Sequence, residues 1–268
     1  MKKAIVTFAV GDKYLHHYNE YFRESVEIYC ETYDYELIVL TETLDSFRAP
    51  TRANGILIQK LLICCQDWSK DYDYIVWLDA DIYINDMATD IVSECLDTDK
   101  VCGCNQNSQI NEKVRLYNQL SRGYEQTGEK WYKDRGIKFE CNDVLQSGVI
   151  VFQPKKHFKL CQDIYDSTIT NTLYLQHGED QPFISYEFLK RDMVKFLRWE
   201  YNAVWSLHYN FCKTFYIDRL EEDINKTTIM SKLMFIINFI HYTSLMDVNK
   251  IKKSRVEYYN LKNKLIKK

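Results

Sequence analysis

The 268-residue sequence predicts a single α/β domain with elaborations, an open sheet flanked by helices. Three observations carry that expectation. A β-rich run from Ala4 to Val10 is broken by Gly11-Asp12 and followed by helical periodicity from Tyr14 to Tyr29, the strand, turn and helix that open a nucleotide-binding α/β unit. The apolar run Tyr74 to Leu78 has the length and composition of a buried strand. A further apolar run, Val149 to Phe152, follows Ser147-Gly148, is ended by Pro154, and leads into helix-like sequence from Lys156 to Thr170. Hydrophobic residues at 46% and charged residues at 27% can build a substantial core and argue against extensive disorder.

Composition narrows the function classes. A formal charge of −3 gives no reason to expect nucleic acid as a partner. No segment reaches the roughly 18 to 20 apolar residues of a membrane span. Met1-Lys2-Lys3 leads straight into the first strand, so no N-terminal signal is expected. Nine cysteines, an odd number without zinc-finger spacing, fit a reducing, cytoplasmic setting. Cys102-Gly103-Cys104 reads as a β-edge or turn pair, and the sequon Asn225-Lys226-Thr227 matters only in a secreted chain.

Along the chain, Glu36 to Thr41 reads as a second strand, Arg48 to Gly55 as a polar loop, and Ile56 to Trp68 as a helix with Ile56, Leu57, Lys60, Leu61 and Cys64 at helical spacing. After the Tyr74 strand, Met87 to Cys95 suits a short helix and Lys100 to Asn105 a strand. Gln106 to Glu140 is polar and irregular, a lid or acceptor-facing loop or a plain helical excursion. A helix is expected from Pro182 through Lys190, and an apolar block from Met234 to Ile240 runs into His241. From Lys250 the tail holds eight Lys/Arg against Glu257, with Ile251, Tyr258, Leu261 and Leu265 at helical spacing. That pattern suits an anionic membrane surface, a partner, or a solvated terminal helix.

Several positions could carry chemistry. Asp79 and Asp81 sit where a buried strand ends, the ligand-binding edge of open α/β sheets. Side-chain alternation would aim both the same way, and hard oxygen ligands there suit Mn²⁺ or Mg²⁺. Two solvated acids at a polar strand end is the competing reading. Lys60 is either a snorkelling surface cation or a charge partner for a diphosphate. Gly148, lacking Cβ, allows a ligand close to the backbone beside Ser147. Asp180 and Gln181, in His177-Gly178-Glu179-Asp180-Gln181-Pro182, read in isolation as a helix cap. His241 is structural unless the fold brings it to Asp79 and Asp81.

Five segments in order resemble a GT-A glycosyltransferase, and within that class glycosyltransferase family eight, the glycogenin and lipopolysaccharide-galactosyltransferase group. They are Val6-Thr-Phe-Ala-Val-Gly-Asp-Lys-Tyr14, Trp77-Leu-Asp-Ala-Asp81, Leu145-Gln-Ser-Gly-Val149, Glu179-Asp-Gln181 and Ile240-His-Tyr-Thr-Ser244. The resemblance implies a GT-A (Rossmann-like) fold with a mixed, mostly parallel central sheet over residues 1–245, and leaves 246–268 as a basic amphipathic tail. It implies that Thr7, Ala9, Val10 and Tyr14 hold the nucleoside of a UDP-linked donor, with Tyr14 stacked on the base. It further implies that Asp79, Asp81 and His241 bind Mn²⁺ on the diphosphate, with Lys60, Ala80, Ser147 and Gly148 lining the donor and Asp180 and Gln181 beside the reacting sugar. The acceptor would be a glycan or a lipid-linked glycan, with retention of anomeric configuration. The chain departs from the family pattern at Gln146, where Asn is usual, at Pro182, where a second Asp is frequent, and after His241, where Lys-Pro-Trp is missing.

Other classes compete. A phosphohydrolase would want Thr or Val where Tyr83 stands, and would carry its acids on the first strand. A sugar nucleotidyltransferase would want a Gly-rich loop after strand one, where Gly11 stands alone. A non-catalytic module binding nucleotide sugar or glycan would use the same pocket without turnover.

Overall fold

The computed structural model describes residues 1–46, 54–109, 127–168, 180–205, 208, 231, 233–243 and 248–266. Six strands form the central sheet: β1 (Lys3–Phe8), β2 (Tyr35–Leu40), β3 (Tyr74–Leu78), β5 (Val101–Asn105), β6 (Leu145–Phe152) and β7 (Val194–Leu197), in the order β2-β1-β3-β6-β5-β7. Strand β1 runs parallel to β2 and β3, and β5 parallel to β7, while β6 is antiparallel to both β3 and β5. The carboxyl ends of β1, β3 and β5 therefore meet the amino end of β6 along one edge. A second sheet, β4 (Ile82–Ile84), β9 (Phe239–His241) and β8 (Ala203–Val204), lies beyond that edge in the order β4-β9-β8.

Every residue of β3 and β6 is buried, as expected of strands covered on both faces. Alternation divides them between two cores. Ile5, Val76, Leu78 and Val151 face one, and Ala4, Val6, Ile75, Trp77 and Phe152 the other. The second core is closed by α5 (Pro154–Ser167) and α6 (Asp180–Leu189), through Cys161, Ile164, Phe183 and Phe188.

Local differences from the sequence reading have physical causes. The helix expected from Tyr14 to Tyr29 is two, α1 (Asp12–Tyr21) and α2 (Arg23–Tyr33), interrupted where Phe22 leaves helical geometry at φ −120. The segment expected as a helix from Ile56 is α-helical only over α3 (Asn54–Leu57), then 3₁₀ from Ile58 to Cys65. All residues from Ile58 to Cys64 are buried, so this segment crosses the core and has no solvent face to impose amphipathic periodicity. The helix expected over Met87 to Cys95 reduces to a 3₁₀ turn, Ile91–Cys95, capped by the Asp90 side chain accepting from the Val92 amide. Cys102-Gly103-Cys104 is neither edge nor turn: β5 is interior, between β6 and β7. The apolar block before His241 turns at Leu233 to Ile236 and is strand only from Phe239.

Two more helices complete the described residues, α4 (Gly128–Lys133) and the carboxyl-terminal α7 (Val248–Ile266). Helix α7 lies against the body. Ile251 and Tyr258 are buried in the first core, Tyr258 donates to Asp86 Oδ1 at 2.7 Å, and Lys252, Arg255 and Lys262 pair with Glu20, Glu24 and Asp86. Among the described residues all cysteines are free thiols, and no helix is long and apolar enough to cross a membrane. The sequon at Asn225, Cys212, most of the loop from Arg48, and residues 110–126 lie outside the described residues.

Candidate metal and donor site

The site forms where β3 ends. The Asp79 amide donates to the Gly148 carbonyl at 2.8 Å, continuing the β3 to β6 ladder by one step, and the Ile82 amide then closes back on the Asp79 carbonyl at 3.2 Å. The chain reverses into β4. Asp79 and Asp81 are thus brought together by a turn, not by alternation along extended chain as the sequence suggested. Strand β4 then pairs with β9 in the register Ile82 to His241, which carries the histidine across some 160 residues of chain to the acids.

His241 Nε2 lies 3.2 Å from Asp81 Oδ1 and 3.8 Å from Asp79 Oδ2. The ligand atoms of Asp79, Asp81 and His241 all fall within 4.8 Å of one another. Ligands about 2.1–2.4 Å from one cation and set at right angles are ~3 Å apart, so these residues fit a divalent cation. Two carboxylates and one imidazole suit Mn²⁺ or Mg²⁺ better than a thiophilic metal. Gly148 makes the arrangement possible: a Cβ there would stand 2.5 Å from His241 Cε1, 2.7 Å from its Nδ1 and 3.3 Å from Asp79 Oδ2.

Charge is balanced within the cluster. Burial disfavours the imidazolium, but the carboxylates of Asp81 and Asp79 outweigh it and raise the His241 pKa above its ordinary 6.5. Burial likewise works against the Asp81 carboxylate, and the His241 ring overcomes it and lowers the Asp81 pKa. A cation bound here would replace the imidazole proton.

The ring of His241 is held from behind by a residue that the sequence did not single out. Its Nδ1 lies 3.0 Å from Oδ1 of Asn202, which ends a 3₁₀ turn (Trp199–Asn202) just before β8. Asn202 is fully buried, and its carbonyl accepts from Gln109 Nε2 at 2.8 Å. Gln109 also donates to Gln146 Oε1 at 2.6 Å, tying the floor of the site to β8.

Lys60 is the second centre. It is 1% exposed, which rules out snorkelling, and its Nζ lies 2.8 Å from Asp180 Oδ2, 3.1 Å from Asp79 Oδ1 and 3.1 Å from the Ser147 carbonyl. Trp77 Nε1 donates to Asp79 Oδ1 at 2.9 Å, and Ser147 Oγ to Asp180 Oδ2 at 3.0 Å. Burial opposes both charges of the Lys60 pair; the carboxylates of Asp180 and Asp79 nonetheless raise the Lys60 pKa, and Lys60 with Ser147 lowers that of Asp180. Asp180 therefore does more than cap α6. Gln181, next in α6, donates from Nε2 to Gln106 Oε1 at 2.5 Å.

On the expected nucleoside side, Thr7 is buried at the end of β1, and its Oγ1 has no hydrogen-bond partner among the described residues. Ala9 is buried and donates its amide to the Leu40 carbonyl, Val10 and Ala80 are half-buried, and Tyr14 stands 63% exposed in the first turn of α1. Strand β1 pairs in parallel with β3, so the end that carries Thr7 lies at the same sheet edge as Asp79. His177, Gly178, Glu179 and Ser244 lie outside the described residues.

No protein-family model matches the sequence, and no curated protein matches it. Solved structures do match in shape. A glycosyltransferase involved in the glycosylation of the major capsid of PBCV-1 aligns with a TM-score of 0.57 at 12% identity, over 94% of this chain and 99% of its own. The bifunctional glycosyltransferase WbbM aligns at 0.57 and 14% identity over 97% of this chain and 51% of its own. The galactosyltransferase LgtC, solved with donor and acceptor sugar analogues, aligns at 0.52 and 15% identity over 94% of this chain and 95% of its own. The likeness is one of fold: a mixed, mostly parallel sheet flanked by helices, the GT-A architecture that these glycosyltransferases share with this chain.

Proposed function

We propose that the chain is a metal-dependent glycosyltransferase that moves a sugar from a UDP-linked donor to a glycan or lipid-linked acceptor with retention of configuration. The observation that carries this reading is the convergence of Asp79, Asp81 and His241 within ligand distance at the carboxyl edge of a GT-A sheet. Family eight remains the nearest reading of the five sequence segments.

Asp79, Asp81 and His241 would hold Mn²⁺ or Mg²⁺, which neutralises negative charge on the departing diphosphate. Tyr14 offers an exposed ring for the base, and Thr7 a buried hydroxyl without a partner among the described residues, at the end of β1. The backbone at Ser147-Gly148 gives the sugar a floor without Cβ bulk. Lys60 bridges Asp180 and Asp79 and holds Asp180 as a carboxylate, so that Asp180 meets the sugar as an anion able to orient hydroxyls or support positive charge at the anomeric carbon. Gln181 serves the same sugar as an amide partner. Retention with no nucleophile assigned suits a front-face path, in which the leaving phosphate oxygen takes the acceptor hydroxyl proton.

A peripheral contact with a membrane surface on the cytoplasmic side belongs to the same reading. It is supported by exposed Lys253, and by exposed Lys264, Leu265 and Ile266 at the end of α7. The test of the whole reading is product formation from a panel of UDP-, GDP- and TDP-sugars with and without Mn²⁺. Metal-dependent turnover of one donor supports it; binding of a donor without product points to a non-catalytic module.

A further inference from the structure

We infer that Asn202 is the positioning residue of the metal centre, holding the proton of His241 on Nδ1 so that Nε2 presents its lone pair to the cation. This rests on the metal reading of Asp79, Asp81 and His241. The two ring nitrogens face different environments. Nδ1 is 3.0 Å from Asn202 Oδ1, an acceptor only, whereas Nε2 faces Asp81 Oδ1 at 3.2 Å and Asp79 Oδ2 at 3.8 Å. A neutral imidazole carries one proton, and a carbonyl oxygen against Nδ1 places it there.

Neither partner is free to find another arrangement. Gly148 packs against the Cε1 and Nδ1 edge of the ring so closely that a methyl group would not fit. Asn202 is wholly buried and anchored through its carbonyl by Gln109, while the following residues Ala203 and Val204 pair with Ile240 and His241 in β9. Its Nδ2 has no partner among the described residues, so the amide's only side-chain hydrogen bond there is the one to the ring. A buried amide that leaves its donor unpaired forgoes stabilisation, which is understandable where its oxygen has a set task.

The test is Mn²⁺ titration of the full chain, read by the electron paramagnetic resonance of free Mn²⁺, for the wild type, N202A, N202L, N202D and H241A. The melting temperature of each metal-free protein is recorded alongside. N202A and N202L, which remove the acceptor, are expected to weaken Mn²⁺ binding by about 10- to 100-fold. N202D, which keeps an oxygen facing Nδ1, is expected to retain most of the affinity, and H241A to lose it. N202L has the shape of the native residue and keeps the test open if N202A does not fold. Wild-type affinity in N202L beside a loss in H241A overturns the positioning role and leaves the metal site standing. N202D as weak as N202L overturns it in favour of packing. Wild-type affinity in H241A removes the metal reading, and this inference with it.

Discussion

Lys60 Nζ and Asp180 Oδ2 are 2.8 Å apart, and the lysine that makes this pair is 1% exposed. The pair links a core-crossing 3₁₀ segment to the first residue of α6, and its cation also reaches Asp79 beside the proposed metal. A buried ion pair seldom adds net stability over an apolar substitute, but removal of one partner strands a charge. Lys60→Met is accordingly expected to leave Asp180 and Asp79 without their shared cation and to cost about 3–5 kcal/mol in denaturant unfolding. Lys60→Met with Asp180→Asn should recover much of that stability but no turnover. Full turnover in the double variant would show that the pair is only structural.

Gly148→Ala tests the close approach of the backbone to the ligand cluster. The added methyl group would meet His241 Cε1 at 2.5 Å, with backbone-constrained β6 unable to retreat. Overpacking of this kind costs about 1–3 kcal/mol. The sharper expectation is weakened Mn²⁺ binding from displacement of the His241 ring, measured by titration on protein that circular dichroism shows to be folded. Unchanged Mn²⁺ affinity would mean that the ring is not a ligand.

The pH dependence has a defined sign. His241 has a raised pKa in the folded chain, so the stability it contributes is full below its ordinary 6.5 and is lost as pH rises through the raised value. Asp81 and Asp180 have lowered values, so their contributions are present above the ordinary 3.8 and are lost as pH falls through the lowered ones. The metal-free protein should therefore melt highest between about pH 4 and 6.5 and lose stability above that window. Mn²⁺ affinity should move the opposite way, rising with pH as the competing imidazole proton leaves. Differential scanning fluorimetry across pH with and without Mn²⁺ checks both, and His241→Ala should remove the loss above about pH 6.5 and the Mn²⁺ response while leaving the acid limb of Asp180.

Much of the site was legible in the sequence, and the parts that were not share a cause. Asp79, Asp81 and His241 carry chemistry in their side-chain types, and ordered segments around them suggested a common site. Asn202 and Gln109 carry no such mark: an amide in an aromatic-rich stretch gains meaning only from a strand pairing with residues about 40 positions away. Lys60 stood between two readings because its partners come from β3, β6 and α6. The 3₁₀ character of Ile58 to Cys65 was hidden as well, since residues at helical spacing in a segment buried on every side do not tell a 3₁₀ helix from an α-helix. The turn at Ala80, too, was masked by an apolar strand pattern on either side.

Tyr14→Ala should weaken UDP binding while leaving Mn²⁺ binding intact, since the ring is exposed in α1 and makes no part of the ligand cluster. Loss of one aromatic stack is worth about 1–3 kcal/mol, roughly 5- to 150-fold in affinity. Tyr14→Phe should bind like the wild type. Isothermal titration with UDP in Mn²⁺ reads the difference, and equal affinity in Tyr14→Ala would place the base elsewhere.

The most direct measurement of the central claim is release of UDP from UDP-sugars by the wild type and by Asp81→Ala, each with Mn²⁺ and with chelator. The wild type is expected to release UDP from one donor only when Mn²⁺ is present, and Asp81→Ala to fall by at least 100-fold, on the scale of a lost metal ligand. Equal release by both proteins, or release unaffected by chelator, would contradict a metal-dependent transfer at Asp79, Asp81 and His241.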